Sequence, residues 1–146
     1  MSARLSFAVV IIGLFLSTTA CSEPLQRAAA IGELQTSMAA DDTPPTEADV
    51  VYLDEGTSRL LAEVDGLLFF TGVGTTDFGS AACLAIVAPG PGQTAGGCDL
   101  TDGEVISAPY VAFGVEARLT VDGADVGAFV DEGWEQPNPN LILRKE

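Results

Sequence analysis

The chain has 146 residues, 47% of them apolar, so it is long enough and apolar enough for one domain of ordinary size with a buried core. Acidic residues outnumber basic residues by 21 to 6, and histidine is absent. A surface this acidic repels phosphate backbones and anionic headgroups, which excludes nucleic-acid binding and membrane docking through a basic patch. The absence of histidine also excludes Ser-His-Asp and Cys-His catalytic sites and imidazole metal ligands.

The N-terminal segment has the order of an export signal. Arg4 precedes the apolar run 5–16, and small or polar residues follow at positions 17–20. As a helix rising about 1.5 Å per residue, that run would reach roughly 18 Å, which is too short for a bilayer core of about 30 Å. We therefore predict a signal peptide over residues 1–20. Its removal would leave 5 basic and 21 acidic residues, a net charge of −16.

Cys21 directly follows this segment, and the sequence Thr18-Thr19-Ala20-Cys21 resembles the lipobox of bacterial lipoproteins, with Thr18 where that family usually has Leu. The resemblance implies that the Cys21 thiol receives a diacylglyceryl group and that the signal is cut just before it. Two or more acyl chains, at about 0.8 kcal/mol per buried methylene, give a stable anchor. We therefore expect the protein on the extracytoplasmic face of the cell membrane. The alternative is ordinary cleavage after Ala20, which would leave Cys21 as a free thiol.

Residues 21–48 are predicted to form a lipidated N-terminus and a stalk. Within residues 24–39, apolar side chains recur every three or four positions, which predicts a weakly amphipathic helix. The sequence 41–45, Asp-Asp-Thr-Pro-Pro, ends that pattern. We interpret the segment as a helical and proline-containing spacer that holds the folded domain off the membrane. The alternative is a helix that binds a partner.

Residues 49–146 are predicted to form a small, mainly β domain, because short apolar runs alternate with Gly and Asp at about ten-residue intervals. Asp65-Gly66 and Asp122-Gly123 are each expected to close a hairpin, since both central residues of a type I′ turn need positive φ. The predicted strands are 57–64, 67–73, 81–88, 98–101, 104–107, 115–121, 125–130 and 140–144, with 104–107 the least marked. A succession of short strands without a long helix indicates an antiparallel meander, a small barrel or a sandwich.

Cys83 and Cys98 enclose 14 residues with a Pro- and Gly-rich turn between them. In an exported protein we expect them to form a disulfide, which would stabilise the domain by about 3 kcal/mol in the chain-entropy description. A metal site built on these two cysteines is the alternative, and no histidine or further cysteine lies nearby to complete it. The disulfide would leave Cys21 available for the lipid.

The domain also carries a series of short, spaced motifs between residues 57 and 144. Together they resemble a group of small exported proteins of actinobacteria, many of them lipoproteins or membrane-anchored, which have no assigned activity. The resemblance implies the fold and the extracytoplasmic location, and it implies no mechanism. The motifs are Ser58–Leu61, Asp65–Gly66, Cys83–Leu84, Gly97–Cys98, Gly133–Trp134 and Asn140–Leu143.

Paired carboxylates are a catalytic device that the composition leaves open. Most of the acids fall in predicted turns or at strand ends, where they cap turns and keep the chain soluble. The segment 99–104 is acidic but departs from the calcium-loop pattern, and the glycine-rich segments 72–74 and 89–97 lack a phosphate-binding lysine. We predict no metal site and no cofactor. The turn acids are Asp65, Asp77, Asp99, Asp102, Asp122 and Asp125.

Trp134 is the only tryptophan, and two interpretations of it stay open. It is either a possible binding anchor or a large side chain that fills the end of the core; Phe69, Phe70, Phe78, Phe113 and Phe129 are expected to share that core or its rims. The function we expect is non-enzymatic: a membrane-tethered binding or scaffold domain whose partner is an envelope protein or a small ligand. The alternatives are a carboxylate-dependent envelope hydrolase and a purely structural envelope component.

Overall fold

The computed structural model describes residues 30–77, 79–99 and 110–146, and within them eight strands form two four-stranded antiparallel sheets. The mainly β prediction is confirmed. The first sheet has the order β1-β2-β3-β4, and the second has the order β5-β6-β8-β7. The strands are β1 Arg59–Val64, β2 Leu67–Thr76, β3 Gly79–Val87, β4 Thr94–Asp99, β5 Tyr110–Ala112, β6 Val115–Leu119, β7 Glu135–Asn138 and β8 Leu141–Lys145, and one short helix, α1, covers Gly127–Asp131.

The hairpin predicted at Asp65-Gly66 is present and joins β1 to β2. Asp65 has φ 52° and Gly66 has φ 81°, so both central residues have the positive φ of a type I′ turn. β2 then pairs with β3 along its length, from Leu68 opposite Val87 to Thr76 opposite Gly79. The first sheet is therefore a meander of sequential hairpins.

The two sheets pack face to face, so the domain is a sandwich, one of the predicted architectures. Phe69, Leu84 and Ile86 of the first sheet share one fully buried cluster with Leu119 and Leu143 of the second. Cluster members on the same strand are two positions apart, such as Leu84 and Ile86 on β3, as expected for side chains that alternate between the faces of a sheet. At the sheet edges, β4 lies beside β5 and β1 lies beside β7.

The outer face of the first sheet is covered by residues 48–53, which we call the strap. Phe70, Ala85 and Val87 on that face pack against Val50, Tyr52 and Leu53 of the strap, among others. Because both faces of the sheet are covered, every residue from 81 to 88 is buried. Burial on two sides explains why this part of the sequence is a continuous apolar run.

The outer face of the second sheet is covered by α1, and here the predicted hairpin at Asp122-Gly123 is wrong. Gly123 has φ 70°, whereas Asp122 is not in the positive-φ region, so the pair does not form a type I′ turn. Residues 125–130 lead into a short helix because Val126 and Phe129, three positions apart, pack together against Trp134 and its neighbours.

The described part of the predicted stalk differs from expectation. No α-helix forms over residues 30–39; single 3-10 turns lie at Gly32–Gln35 and Ala40–Asp42. Ile31 is fully buried in the central cluster between the sheets. Complete burial of such a side chain contributes about 1.5–3 kcal/mol, which outweighs the weak helix preference of a segment that contains a glycine. Residues 30–48, which were predicted to belong to the stalk, therefore pack on the β domain that was expected to begin at residue 49.

An ion pair holds this N-terminal segment against the first strand. The Asp42 carboxylate accepts hydrogen bonds from the amides of Ala39 and Leu60, and it lies 3.8 Å from the Arg59 Nε. The Arg59 guanidinium also donates to the Thr36 carbonyl oxygen, 2.6 Å away. Both charged side chains are largely buried; the nearby carboxylate balances the charge of Arg59, although the Arg59 Nε itself makes no hydrogen bond.

Several predictions fall on residues outside the described ranges. They are the signal peptide and Cys21, the core residue Phe78, the strand at 104–107 and residues 100–104 of the acidic segment. The strand expected at 98–101 begins earlier, as β4 at Thr94, and two short strands, β5 and β7, were not predicted. The final strand agrees with expectation to within one residue.

Candidate functional site

Cys83 and Cys98 form a disulfide between directly opposed positions of β3 and β4, which confirms the predicted pairing. The disulfide lies beneath the strap: the Cys98 Sγ is 3.5 Å from the Tyr52 carbonyl oxygen. Gly74 leaves room for it, since a Cβ there would come within 2.5 Å of one sulfur and 2.6 Å of the other. The disulfide is thus packed in the domain and links the edge strand β4 to the rest of the sheet.

Tyr52 fastens the strap over this disulfide. Its hydroxyl donates to the Ala95 carbonyl oxygen of β4 at 3.1 Å, and the Thr94 hydroxyl donates to the Asp49 carbonyl oxygen at 2.8 Å. Burial raises the pKa of Tyr52 from 10.0 to about 12, and the nearby Tyr110 and Asp49 make smaller contributions to this increase. The phenol therefore stays neutral at physiological pH and serves as a hydrogen-bond donor, so its role here is structural.

Trp134, the possible binding residue, lies in the core. Its side chain is only 4% exposed and meets Phe129 edge to face, with 5.6 Å between the ring centres. The guanidinium groups of Arg118 and Arg144 lie 5.1 Å and 5.0 Å from the indole centre. A ring enclosed by α1, the sheet and two arginines is not presented to a partner as an exposed anchor would be.

The two arginines around Trp134 share a carboxylate. Glu116 lies between them on the outer face of the second sheet, 3.5 Å from the Arg118 guanidinium and hydrogen-bonded to that of Arg144. A third described basic residue, Lys145, pairs with Asp65 at 2.7 Å. These cations are therefore engaged with the domain's own acids.

Asp122 lies in the turn after β6, and its carboxylate is hydrogen-bonded to two other parts of the chain. Its carboxylate accepts hydrogen bonds from the Asn140 side-chain amide at 2.7 Å and from the Gly32 backbone amide at 2.9 Å. These two hydrogen bonds, that from Asn140 first, lower the pKa of Asp122 from its ordinary value of 3.8. The acid of a carboxylate-pair hydrolase needs the opposite shift, because it must stay protonated to donate to the leaving group.

The described surface has shallow grooves rather than a deep cavity. One groove of about 310 Å³ lies between residues 38–44 and the strap, lined chiefly by Met38, Pro44, Val50 and Leu53. A second, of about 370 Å³, lies beside the Asp65-Gly66 turn and includes Leu68. Volumes of this size suit a small apolar group, at the lower end of ligand pockets in general.

Among the described residues, the most exposed aromatic side chain is Phe113, which was expected in the core or at its rim. The turn between β5 and β6 consists of Phe113, with φ 53°, and Gly114, with φ 74°. Phe113 is 43% exposed, and Val111 on the adjoining strand is 58% exposed. A bulky residue in the left-handed region costs about 1–2 kcal/mol, and such strain is concentrated at functional positions. We call residues 111–114 the hairpin tip.

No known protein family, characterised protein or solved structure matches the chain. Within the described ranges, no helix is long and apolar enough to cross a bilayer. Over the same residues, no three or more cysteine, aspartate or glutamate side chains are grouped so that they would hold a metal ion.

Proposed function

We propose that this chain is a lipid-anchored protein of the extracytoplasmic face of the cell membrane, whose β domain binds or scaffolds another envelope component without catalysing a reaction. The observation that carries the proposal is the bond between Cys83 and Cys98. Because those two cysteines are joined, Cys21 is the one cysteine outside the bond, and it stands directly behind a segment with signal-peptide character. Lipidation gives it a function, whereas a free exposed thiol would be prone to oxidation.

Membrane attachment is tested by comparing the full-length wild type with Cys21→Ser in a bacterial host that processes lipoproteins. Membrane flotation and detergent-phase partitioning report the attachment. The wild type is expected in the membrane and detergent fractions, and Cys21→Ser in the soluble fraction. The matched control is the double variant Cys83→Ser/Cys98→Ser, which removes the other two cysteines and is expected to stay membrane-bound. If Cys21→Ser remains equally membrane-bound, the lipid anchor is wrong.

The binding role is supported by the hairpin tip. Phe113 combines exposure with an unfavourable backbone conformation; exposed aromatic side chains are enriched at protein interfaces, and strained positions cluster at functional sites. The processed chain has a net charge of −16, so a partner with a basic surface around an apolar pocket would complement it. We therefore propose a basic envelope protein as the partner, with a small apolar ligand in one of the grooves as the second possibility.

A photo-reactive side chain at position 113 tests this role in living cells, with one at position 136 as the control. We expect a protein adduct at 113 that is absent at 136. The captured protein is then purified and titrated with wild type and with Phe113→Asn, and the variant is expected to bind at least tenfold more weakly. Adducts of equal intensity at both positions, or equal affinities of the two proteins, would contradict a binding role for the tip.

A further inference from the structure

We infer that the lipid anchor orients the domain, with the turn at Asp122 facing the bilayer and the hairpin tip facing away from it. The inference rests on the proposed lipidation of Cys21 and adds the direction in which the anchored domain presents its contact surface. Three observations support it. The N-terminal segment is fastened to one end of the sandwich, only a short length of chain separates this point from Cys21, and β6 and β8 run from this end to the hairpin tip.

The first described residues are fastened to one end of the sandwich. The Ala30 carbonyl oxygen accepts a hydrogen bond from the Asp122 amide at 2.9 Å, and the Gly32 amide donates to the Asp122 carboxylate at the same distance. Ile31 between them is fully buried in the central cluster. The described part of the chain therefore begins beside the Asp122 turn.

The connection from this point to the proposed anchor is short. Nine residues separate Cys21 from Ile31. Ten virtual bonds limit the separation of the two Cα atoms to about 35 Å when fully extended. The fastened end of the domain therefore stays within about 35 Å of the anchored cysteine.

The hairpin tip lies at the other end of the sandwich. β6 begins with Val115 next to the tip and ends with Leu119 next to the Asp122 turn, a distance of roughly 13 Å along the strand. β8 runs antiparallel to it, with Lys145 opposite Val115 and Leu141 opposite Leu119. The Lys145 ammonium is 2.7 Å from the Asp65 carboxylate, which brings the β1–β2 turn to the same end as the tip.

Charge opposes a domain that lies flat on the bilayer. The net charge of the processed chain is −16. Repulsion from anionic headgroups opposes a domain that lies flat on the bilayer. The short connection and this repulsion together leave an upright domain, with the tip available to a partner in the envelope.

The orientation is tested with the lipidated full-length protein in vesicles of phosphatidylcholine and anionic phosphatidylglycerol that contain a small share of headgroup-spin-labelled lipid. A fluorophore is attached either at Gln136→Cys, whose native side chain lines a groove with Gly123, or at Val111→Cys on the tip. Quenching at position 136 is expected to be at least threefold stronger than at 111. Insertion of a flexible 20-residue Gly/Ser segment between Ser22 and Glu23 is expected to reduce that difference.

Vesicle flotation, measured on the same samples, separates the two proposals. If the labelled proteins float and quenching at 111 equals or exceeds that at 136, the orientation is wrong while the anchor stands. If the proteins do not float, the anchor is wrong and the orientation falls with it. A second pair of labels, at Thr36→Cys and Phe113→Cys, must give the same ranking, so that a fold defect in one variant does not decide the outcome.

Discussion

The backbone amide of Gly32 donates a hydrogen bond to the carboxylate of Asp122, 2.9 Å away, although 90 positions separate the two residues in the chain. Together with the return hydrogen bond from the Asp122 amide to the Ala30 carbonyl oxygen, it closes the N-terminal segment onto the end of the second sheet. The segment expected to be a free spacer is thus part of the sandwich from Ile31 onwards.

Asp122→Asn is expected to loosen this attachment. The side-chain oxygen of asparagine is uncharged and accepts weaker hydrogen bonds than a carboxylate does. The hydrogen bonds from the Gly32 amide and the Asn140 side chain should therefore weaken. Hydrogen exchange of the Gly32 amide should become several-fold faster, while exchange in β2 and β3 stays the same. Asp131→Asn, in the exposed part of α1, is the control. If Gly32 is protected equally in wild type and Asp122→Asn, the carboxylate does not hold the segment.

The same contact should be sensitive to acid. The folded-state pKa of Asp122 lies below its ordinary value of 3.8, so the contribution of the carboxylate to stability is present above that value and is lost as the pH falls through the lower folded pKa. An NMR titration of the Asn140 side-chain amide should therefore show a midpoint below 3.8. A midpoint at or above 3.8 would contradict the pair of hydrogen bonds.

Tyr52→Phe removes the hydroxyl that joins the strap to β4, and we expect it to lower the free energy of unfolding by about 1 kcal/mol at neutral pH. Since the pKa of Tyr52 is raised to about 12, the neutral phenol stabilises the fold below pH 10, and this contribution declines between pH 10 and 12. In urea unfolding, the advantage of the wild type over the variant should shrink over that interval. An advantage that grows with pH would be inconsistent with a buried neutral phenol.

Removal of the disulfide should affect stability without affecting membrane attachment. Cys83→Ser/Cys98→Ser opens a cross-link between residues 15 positions apart, and a loss of about 3 kcal/mol is expected from urea unfolding. Cys21→Ser should leave the unfolding free energy unchanged, because that residue lies before the first fastened position. A large loss of stability in Cys21→Ser would show that it has a role in the fold.

Phe113→Asn is expected to stabilise the isolated protein by about 1 kcal/mol, because asparagine tolerates the left-handed region better than a bulky aromatic residue does. Val111→Asn is the matched control: it removes a similarly exposed apolar side chain from a strand without relieving a positive φ, and no gain is expected. Thermal unfolding of both variants checks this. A loss of stability in Phe113→Asn would indicate that the ring serves packing rather than contact with a partner.

The parts of the fold that were predicted correctly are those in which local chemistry and tertiary packing agree. Asp65-Gly66 has turn residues suited to positive φ between two apolar runs, and its hairpin forms as expected. Asp122-Gly123 has the same residue types, yet Asp122 binds the N-terminal segment instead, and the following residues pack as a helix on Trp134. The two residues of the turn carry no information about these long-range contacts, so the local sequence could not predict the outcome.

The exposed hairpin tip was not predicted for a related reason. Phe113 occupies a turn position that asparagine, aspartate or glycine usually fills, so Gly114 is the one local signal for the turn. Trp134 was a candidate binding residue because it is the only tryptophan. Its burial depends on Arg118, Arg144 and α1, which come from separate parts of the chain. The disulfide was predictable because two cysteines of a chain that is expected to be exported have few other roles.

The central claim is that Cys21 carries the lipid, and the intact mass of the mature protein tests it most directly. Full-length wild type is expressed in a bacterial host that processes lipoproteins, extracted with detergent and measured by mass spectrometry, with digestion to isolate the N-terminal peptide. The predicted result is a chain that begins at Cys21 and bears a thioether-linked diacylglyceryl group. A mature chain that begins at Cys21 with an unmodified thiol, or one that retains residues 1–20, would contradict the account.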